Sequence, residues 1–378
     1  MRFADIIGYQ AIKKALVGMA DSGRVAHAML LYENDGCGAL PLALAYAQYL
    51  ACEHPHDGDS CGECPSCHRM SKLIHPDLHF VFPTNAGSKS GKMAAKDITA
   101  DVYMEDFRAL ARSNPWFLEP QLMEALGLEV KSWDINVAQA KELSQTLSLS
   151  AVENGWKTVV FYLPEQLNVQ AANKLLKLVE EPPEKTLFLF ITHQPQKVLQ
   201  TIFSRCQSLR IAPLSPDEVF QSLSLRGYAD AAAREQARLC GGSVGAALYQ
   251  IEHGEDTRQY YDWFLQITQA LLQHNLLEAL TVGEQIAAVP SREKQKGFCI
   301  FVSEMLRKIF LIQRGMEDLA YVPESRMESC KALAARMSRQ FTFRMQPVLD
   351  KTVYNIDRNV NQKILFTDLI DRMSLNII

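Results

Sequence analysis

Two periods of apolar and polar positions alternate along the first part of the chain. His27 to Tyr32, Thr158 to Leu163 and Leu187 to Thr192 are short apolar runs of the kind that form strands buried on both faces of a parallel sheet. His79 to Phe82 is also strand-like and ends at Pro83. Between these runs, Ala11 to Ser22, Leu40 to Cys52 and Ala171 to Glu181 read as helices, the last stopped by Pro182-Pro183. Strand alternating with helix predicts an α/β domain, a parallel sheet with helices on both faces, over residues 1–212. After Pro213 the strand signal vanishes. Pro216 to Leu248 reads as short helices broken at Gly241-Gly242, and from Asp256 the pattern is helical, with breaks near Pro290, Gly315 and Pro323. The expected organisation is therefore an α/β domain, a small helical domain at 213–255 and an all-α domain at 256–378. Residues 84–134 fit neither period and read as an insertion. It would hold a flexible loop from Asn85 to Lys92, a helix from Val102 to Ser113 and the surplus aromatics Trp116, Phe117 and Trp133.

Composition changes this picture little. The 378 residues are 48% hydrophobic and 22% charged, enough apolar material for two or three cores, which excludes disorder over most of the length. A net charge of −4 argues against a surface built as a whole to bind polyanions. The first residues carry Asp5, Lys13 and Lys14 in a helical pattern rather than an export signal. The longest uncharged stretch, Gly36 to Cys52, contains Gly36, Gly38 and Pro41 and is shorter than the ~20 apolar residues of a membrane span. The expected setting is the reducing cytoplasm, with no membrane partner.

The cysteines change it more. Four of nine form C-x8-C-x2-C-x2-C at Cys52, Cys61, Cys64 and Cys67. Four thiolates at such spacing can close a tetrahedral shell around zinc, with no open position for catalysis, so the metal would be structural. Cys64 to His68 also matches the haem-attachment pattern C-x-x-C-H, and a redox C-x-x-C pair is a third reading, but both leave two cysteines unexplained. His54, His56, His68 and His75 are expected to be solvated. Cys37, Cys206, Cys240, Cys299 and Cys330 read as small buried hydrophobes.

The strand and helix flanking Glu33 to Leu40 sit where a phosphate-binding loop would, but G-x-x-x-x-G-K-S/T is not there. Gly36 and Gly38 permit the turn. Ala39 replaces the lysine, Leu40 replaces the hydroxyl, and Glu33 and Asp35 add negative charge where phosphate would lie. The strand from Thr158 should end in a magnesium-positioning aspartate and a water-activating glutamate; Tyr162 and Leu163 stand there instead, with Glu165 three residues late at a helix start. These losses predict no Mg-ATP hydrolysis and no tight ATP site. Gly87 to Lys92 imitates a phosphate loop, but its glycines are one residue too close and Met93 replaces the hydroxyl.

NKLLKLVEEPPEKTLFLFIT and TIFSRCQ, between Lys157 and Gln207, closely resemble the hallmarks of the clamp-loader branch of the AAA+ proteins. Ile6-Ile7-Gly8, Gly23 to Ala28, the four-cysteine module and Asn361 to Leu365 are similar to further segments of that family. The resemblance implies an AAA+ domain, a helical lid and an oligomerising collar. It covers most of the chain except Thr84 to Asp134 and the loosely matching Asp256 to Asp357. Bacterial clamp loaders contain gamma/tau ATPases and a non-hydrolysing subunit, and the missing lysine and acids match the latter. Gly245 stands where the family's nucleotide-sensing arginine would be, and Thr192 is near the place of its polar strand-end sensor. Ser204-Arg205-Cys206 matches the SRC motif, whose arginine reaches the γ-phosphate in the adjacent subunit's ATP site. The implied partners are gamma/tau and delta subunits and, through the complex, the sliding clamp and primed DNA. Two other functions stand beside this one: a divergent gamma/tau-type ATPase, and a zinc-bearing nucleic-acid-binding module outside replication. Glu180 and Glu181 end a helix against its dipole, and Lys174 and Lys177 are the expected compensating charges.

Overall fold

The computed structural model describes residues 1–85, 93–128, 133–148, 151, 155–358 and 360–377. The phosphate-loop look-alike at 87–92 lies outside the described residues, as does the Asn85–Lys92 loop apart from Asn85. The chain divides into two compact units, Met1–Tyr249 and Gln250–Ile378.

The first unit is built on a five-stranded parallel sheet with strands β1 (Ala28–Tyr32), β2 (Leu78–Val81), β3 (Lys157–Tyr162), β4 (Thr186–Thr192) and β5 (Gln207–Arg210), in the order β2-β3-β4-β1-β5. The four apolar runs of the sequence are the first four strands. β3 and β4 are buried at every position, and Ala28 pairs with Phe188 and Phe161 with Phe190. The rings of Phe161 and Phe190 stack with centroids 4.8 Å apart, and Leu30, Val159 and Phe188 pack with them. β5 carries mostly exposed side chains on the sheet edge and gives no apolar signal.

Helices α1 (Gln10–Asp21) and α2 (Ala39–Ala51) flank β1, and α3 (Pro65–Ser71) precedes β2. The insertion folds as α4 (Met104–Ser113), led by a short 3-10 turn, and α5 (Glu119–Ala125). Phe107 is fully buried and stacks on Phe82 at 4.5 Å, so the insertion is anchored to the core through its aromatics. Then come α6 (Val137–Ser148), which the apolar pattern does not announce, α7 (Val169–Glu180) and α8 (Gln200–Phe203). Three short helices follow β5: α9 (Pro216–Ser224), α10 (Asp230–Leu239) and α11 (Val244–Glu252).

Among the described residues the second unit is all helical: α12 (Gly254–Leu272), α13 (Leu276–Ala287), α14 (Arg292–Gln313), α15 (Glu317–Ala320), α16 (Glu324–Arg336), α17 (Phe341–Asp357) and α18 (Gln362–Asn376). Its core is a continuous cluster that includes Phe264, Phe298, Val302, Phe341 and Phe366. Among the described residues no helix is long and apolar enough to cross a membrane.

Phe190 lies at the centre of the sheet with 0% exposure. Phe190→Ala should lower the stability of the first unit by roughly 3–5 kcal/mol, the sum of lost transfer energy and an unfilled cavity. Chemical denaturation followed by circular dichroism would read this as an early shift of one transition, and an unshifted midpoint would contradict the packing described.

Candidate functional site

Adjacent parallel strands point their carboxyl ends the same way, and that edge of an open α/β sheet is where ligands bind. β3, β4 and β1 are neighbours, so the residues just after them converge: Glu165, His193, and Glu33 with Asp35. The turn from β1 into α2 keeps the shape of a phosphate loop. Gly36 and Gly38 have φ of 75° and 133°, where a side chain would be strained. The free N–H groups at the start of α2 face an anion, but a protein one. Glu33 Oε2 accepts the Ala39 N–H at 2.7 Å, so a carboxylate occupies the position a phosphate would take.

His193 holds the rest of this cluster. Its Nε2 lies 3.4 Å from Asp35 Oδ1 and 3.8 Å from Glu33 Oε1, and its Nδ1 lies 3.8 Å from Glu119 Oε2. These are ion-pair distances rather than formed hydrogen bonds, and both ring nitrogens lack a hydrogen-bond partner. Asp35 Oδ2 accepts the Glu119 N–H at 2.9 Å, Glu165 accepts the His193 N–H at 3.2 Å, and the Tyr162 ring stands edge-on to the imidazole. Burial alone would lower the His193 pKa. The carboxylates of Glu119, Asp35, Glu33 and Glu165 outweigh it and raise the value to about 9. Burial raises Glu33 to about 7, against the pull of His193 and the Ala39 and Gly38 N–H groups. At neutral pH an imidazolium thus sits among acidic groups from three segments, Glu33 being near its midpoint.

The space beside the loop is occupied by the chain itself. Gly245 N–H donates to the Gly36 carbonyl at 3.0 Å, and Ser243 Oγ donates to the Asp35 carbonyl at 2.8 Å. A Cβ on Gly245 would stand 2.0 Å from the Trp116 carbonyl oxygen and 2.9 Å from Gly36 Cα, so no arginine fits there in this packing. Trp116 is buried, and the Arg226 guanidinium covers its ring at 4.1 Å. Tyr9 donates to the Cys37 carbonyl at 2.6 Å. Thr192 is buried, its carbonyl accepting from Glu33 and its hydroxyl from Gln194, as a strand-end residue does. Leu163 begins the next turn at φ 57°.

Arg205 lies at the end of α8, its side chain 35% exposed. Its Nη2 is ion-paired with Glu180 at the end of α7, and its Nη1 donates to the Thr201 carbonyl at 2.7 Å. The charge facing Glu180 is therefore Arg205, whereas the sequence pointed to Lys174 and Lys177. The lysines share α7 with Glu180; the arginine reaches it only because β4 and α8 bring the chain back beside that helix.

Cys52, Cys61, Cys64 and Cys67 are brought together, each sulfur within 4.8 Å of the others. The Cys52–Cys61 and Cys61–Cys67 separations are 3.5 and 3.9 Å, and ~3.8 Å is the spacing of two sulfurs in a tetrahedral zinc site with ~2.3 Å bonds. N–H groups of Cys61, Cys64 and Cys67 point at Cys52, Cys61 and Cys64 sulfurs respectively, while burial raises the Cys52 and Cys67 thiols. Glu63 and Cys64 N–H groups hold Cys61 down to about 6. The donor set fits zinc. His54, His56 and His68 are exposed, but His75 is 4% exposed, contrary to the expectation of solvation. Its Nε2 meets Ser66 Oγ at 3.1 Å and its Nδ1 accepts the Asp77 N–H, tying α3 to the start of β2. Cys37, Cys299 and Cys330 are buried, whereas Cys206 and Cys240 are only half-buried.

Sequence reasoning found Glu33 and Asp35 but missed His193 and Glu119. The sequence places His193 directly after a buried strand, but its meeting with Glu33, Asp35 and Glu119 comes only from the order of the strands and the packing of the insertion.

Two outcomes follow. His193 is charged at lower pH in the folded chain and its pKa rises from the ordinary 6.5 to about 9. Its stabilisation is therefore whole below about 6.5 and lost as pH rises through about 9. The difference in thermal unfolding between the wild type and His193→Gln should shrink across that window; a constant difference would exclude the imidazolium. Cys61→Ser should lower zinc content, measured by elemental analysis, and soften the 52–67 module to proteolysis, as removal of a closed ligand set does.

A family model described as "DNA polymerase III, delta subunit" matches residues 8–215. The chain is 30% identical over 306 residues to DNA polymerase III subunit delta' of Pseudomonas aeruginosa, covering 80% of this chain and 78% of that one. It is 29% identical over 208 residues to the Bacillus subtilis delta' subunit, 55% of this chain and about half (49%) of that one. Among solved structures it is similar to a DNA polymerase III gamma-subunit-related protein of Thermotoga maritima, at 15% identity and TM-score 0.43, covering 96% of this chain and 99% of that chain. The matched region holds both the carboxylate-filled loop and the SRC segment, and the chain belongs to the DNA polymerase III delta' subunit family.

Proposed function

We propose that the chain is a non-hydrolysing clamp-loader subunit. It acts with gamma/tau and delta subunits to place a sliding clamp on primed DNA in the bacterial cytoplasm, and it lends Arg205 to the neighbouring subunit's ATP site. The observation that carries this reading is a contrast within one domain. The cleft at the carboxyl edge of the sheet is filled by Glu33, His193, Trp116 and Gly245, while Arg205 stands at the surface. A site that binds its own carboxylate where a phosphate would sit has no use for ATP, and a surface guanidinium can still offset charge in another chain's phosphoryl transfer. The four cysteines would hold a structural zinc. Residues 213–255 would serve as the lid, fixed against the loop through Ser243 and Gly245, and residues 256–378 as the collar.

Arg205→Ala in the complex reconstituted with gamma-type and delta subunits, clamp and primed DNA is the test. DNA-stimulated ATP hydrolysis and clamp loading should fall by about tenfold or more, a modest part of the roughly 10³–10⁵ an arginine finger contributes at its own site. Assembly should be intact by size-exclusion chromatography. Loading at the wild-type rate would refute the role, and ATP turnover by the isolated chain would favour a divergent gamma/tau-type ATPase instead.

A further inference from the structure

The Arg205 guanidinium is occupied within its own chain. Nη1 donates to the Thr201 carbonyl at 2.7 Å and meets Ser204 Oγ at 3.3 Å, and Nη2 is paired with Glu180 Oε1. Glu180 ends α7 just before Pro182-Pro183, where the helix dipole disfavours a carboxylate, so the cation relieves a local electrostatic cost. Both side chains are about a third exposed or more, 35% for Arg205 and 40% for Glu180, so the pair can open without unfolding anything.

The same pairing limits what the arginine can do elsewhere. A guanidinium presents its N–H fork to a carboxylate or to a phosphate, and the two compete for it. A carboxylate left in place also cancels much of the positive field and repels the incoming phosphate oxygens. We propose that Glu180 is a brake on Arg205: it parks the guanidinium against its own domain and surrenders it only when the neighbour's γ-phosphate is in reach. This rests on the reading of Arg205 as a residue acting in trans. Glu180 touches no substrate; it acts by positioning Arg205.

The experiment compares wild type, Glu180→Gln, Arg205→Ala and the double variant, each as the full chain reconstituted with gamma-type and delta subunits, clamp and primed DNA. Glutamine keeps the shape of Glu180 and removes its charge. ATP hydrolysis without DNA should rise about two- to fivefold in Glu180→Gln, the population shift that release of an exposed ion pair supplies. The double variant should match Arg205→Ala, because the gain passes through the guanidinium. A Glu180→Gln rate at or below wild type, or a gain that survives loss of Arg205, would overturn the brake. If Arg205→Ala itself hydrolyses ATP normally, the trans role fails and the brake with it; if Arg205→Ala slows while Glu180→Gln shows no gain, the trans role stands and the brake alone is wrong. Thermal unfolding of each chain, with Glu180→Ala as a second variant, separates these results from misfolding.

Discussion

A buried carboxylate at the start of a helix organises the first unit of this protein. The Glu33–Ala39 contact satisfies an N–H that every such helix leaves open, and it places a negative charge where the helix dipole favours one. Having taken that charge into the interior, the fold must answer it. His193 does so from the end of the neighbouring strand, and Asp35 and Glu119 share the same imidazolium from the loop and the insertion. Burying one partner of such a cluster without the others would be costly, so the elements that carry them are bound to one arrangement.

The insertion's position follows from this constraint. The Glu119 backbone N–H donates to the Asp35 carboxylate, and Trp116 rests against Gly245 and under Arg226. A segment that looked like surplus in the sequence is the wall of the cleft.

How much of this was legible depended on the range of the interaction. β1 to β4 were plain because strands covered on both faces must be apolar throughout, and the Cys52–Cys67 cluster was plain because its ligands lie close in sequence. β5 was invisible because Gln207 to Arg210 are mostly exposed on an edge. α6 was hidden because its inward face includes Gln139, which is 3% exposed and donates to Thr84. Ala39, Leu40, Tyr162 and Leu163 were legible as departures from a phosphate-loop pattern. That His193 answers Glu33 and Asp35, and that Arg205 answers Glu180, required knowing which strand ends are neighbours.

Gly245 carries a consequence for substitution. A side chain there collides with the backbone of Trp116, not with a movable group. A long side chain at this position would need the insertion to withdraw first, and a lysine at Ala39 would find Glu33 already bonded to that residue's N–H. Both positions are therefore held by backbone packing and a formed hydrogen bond as well as by residue identity.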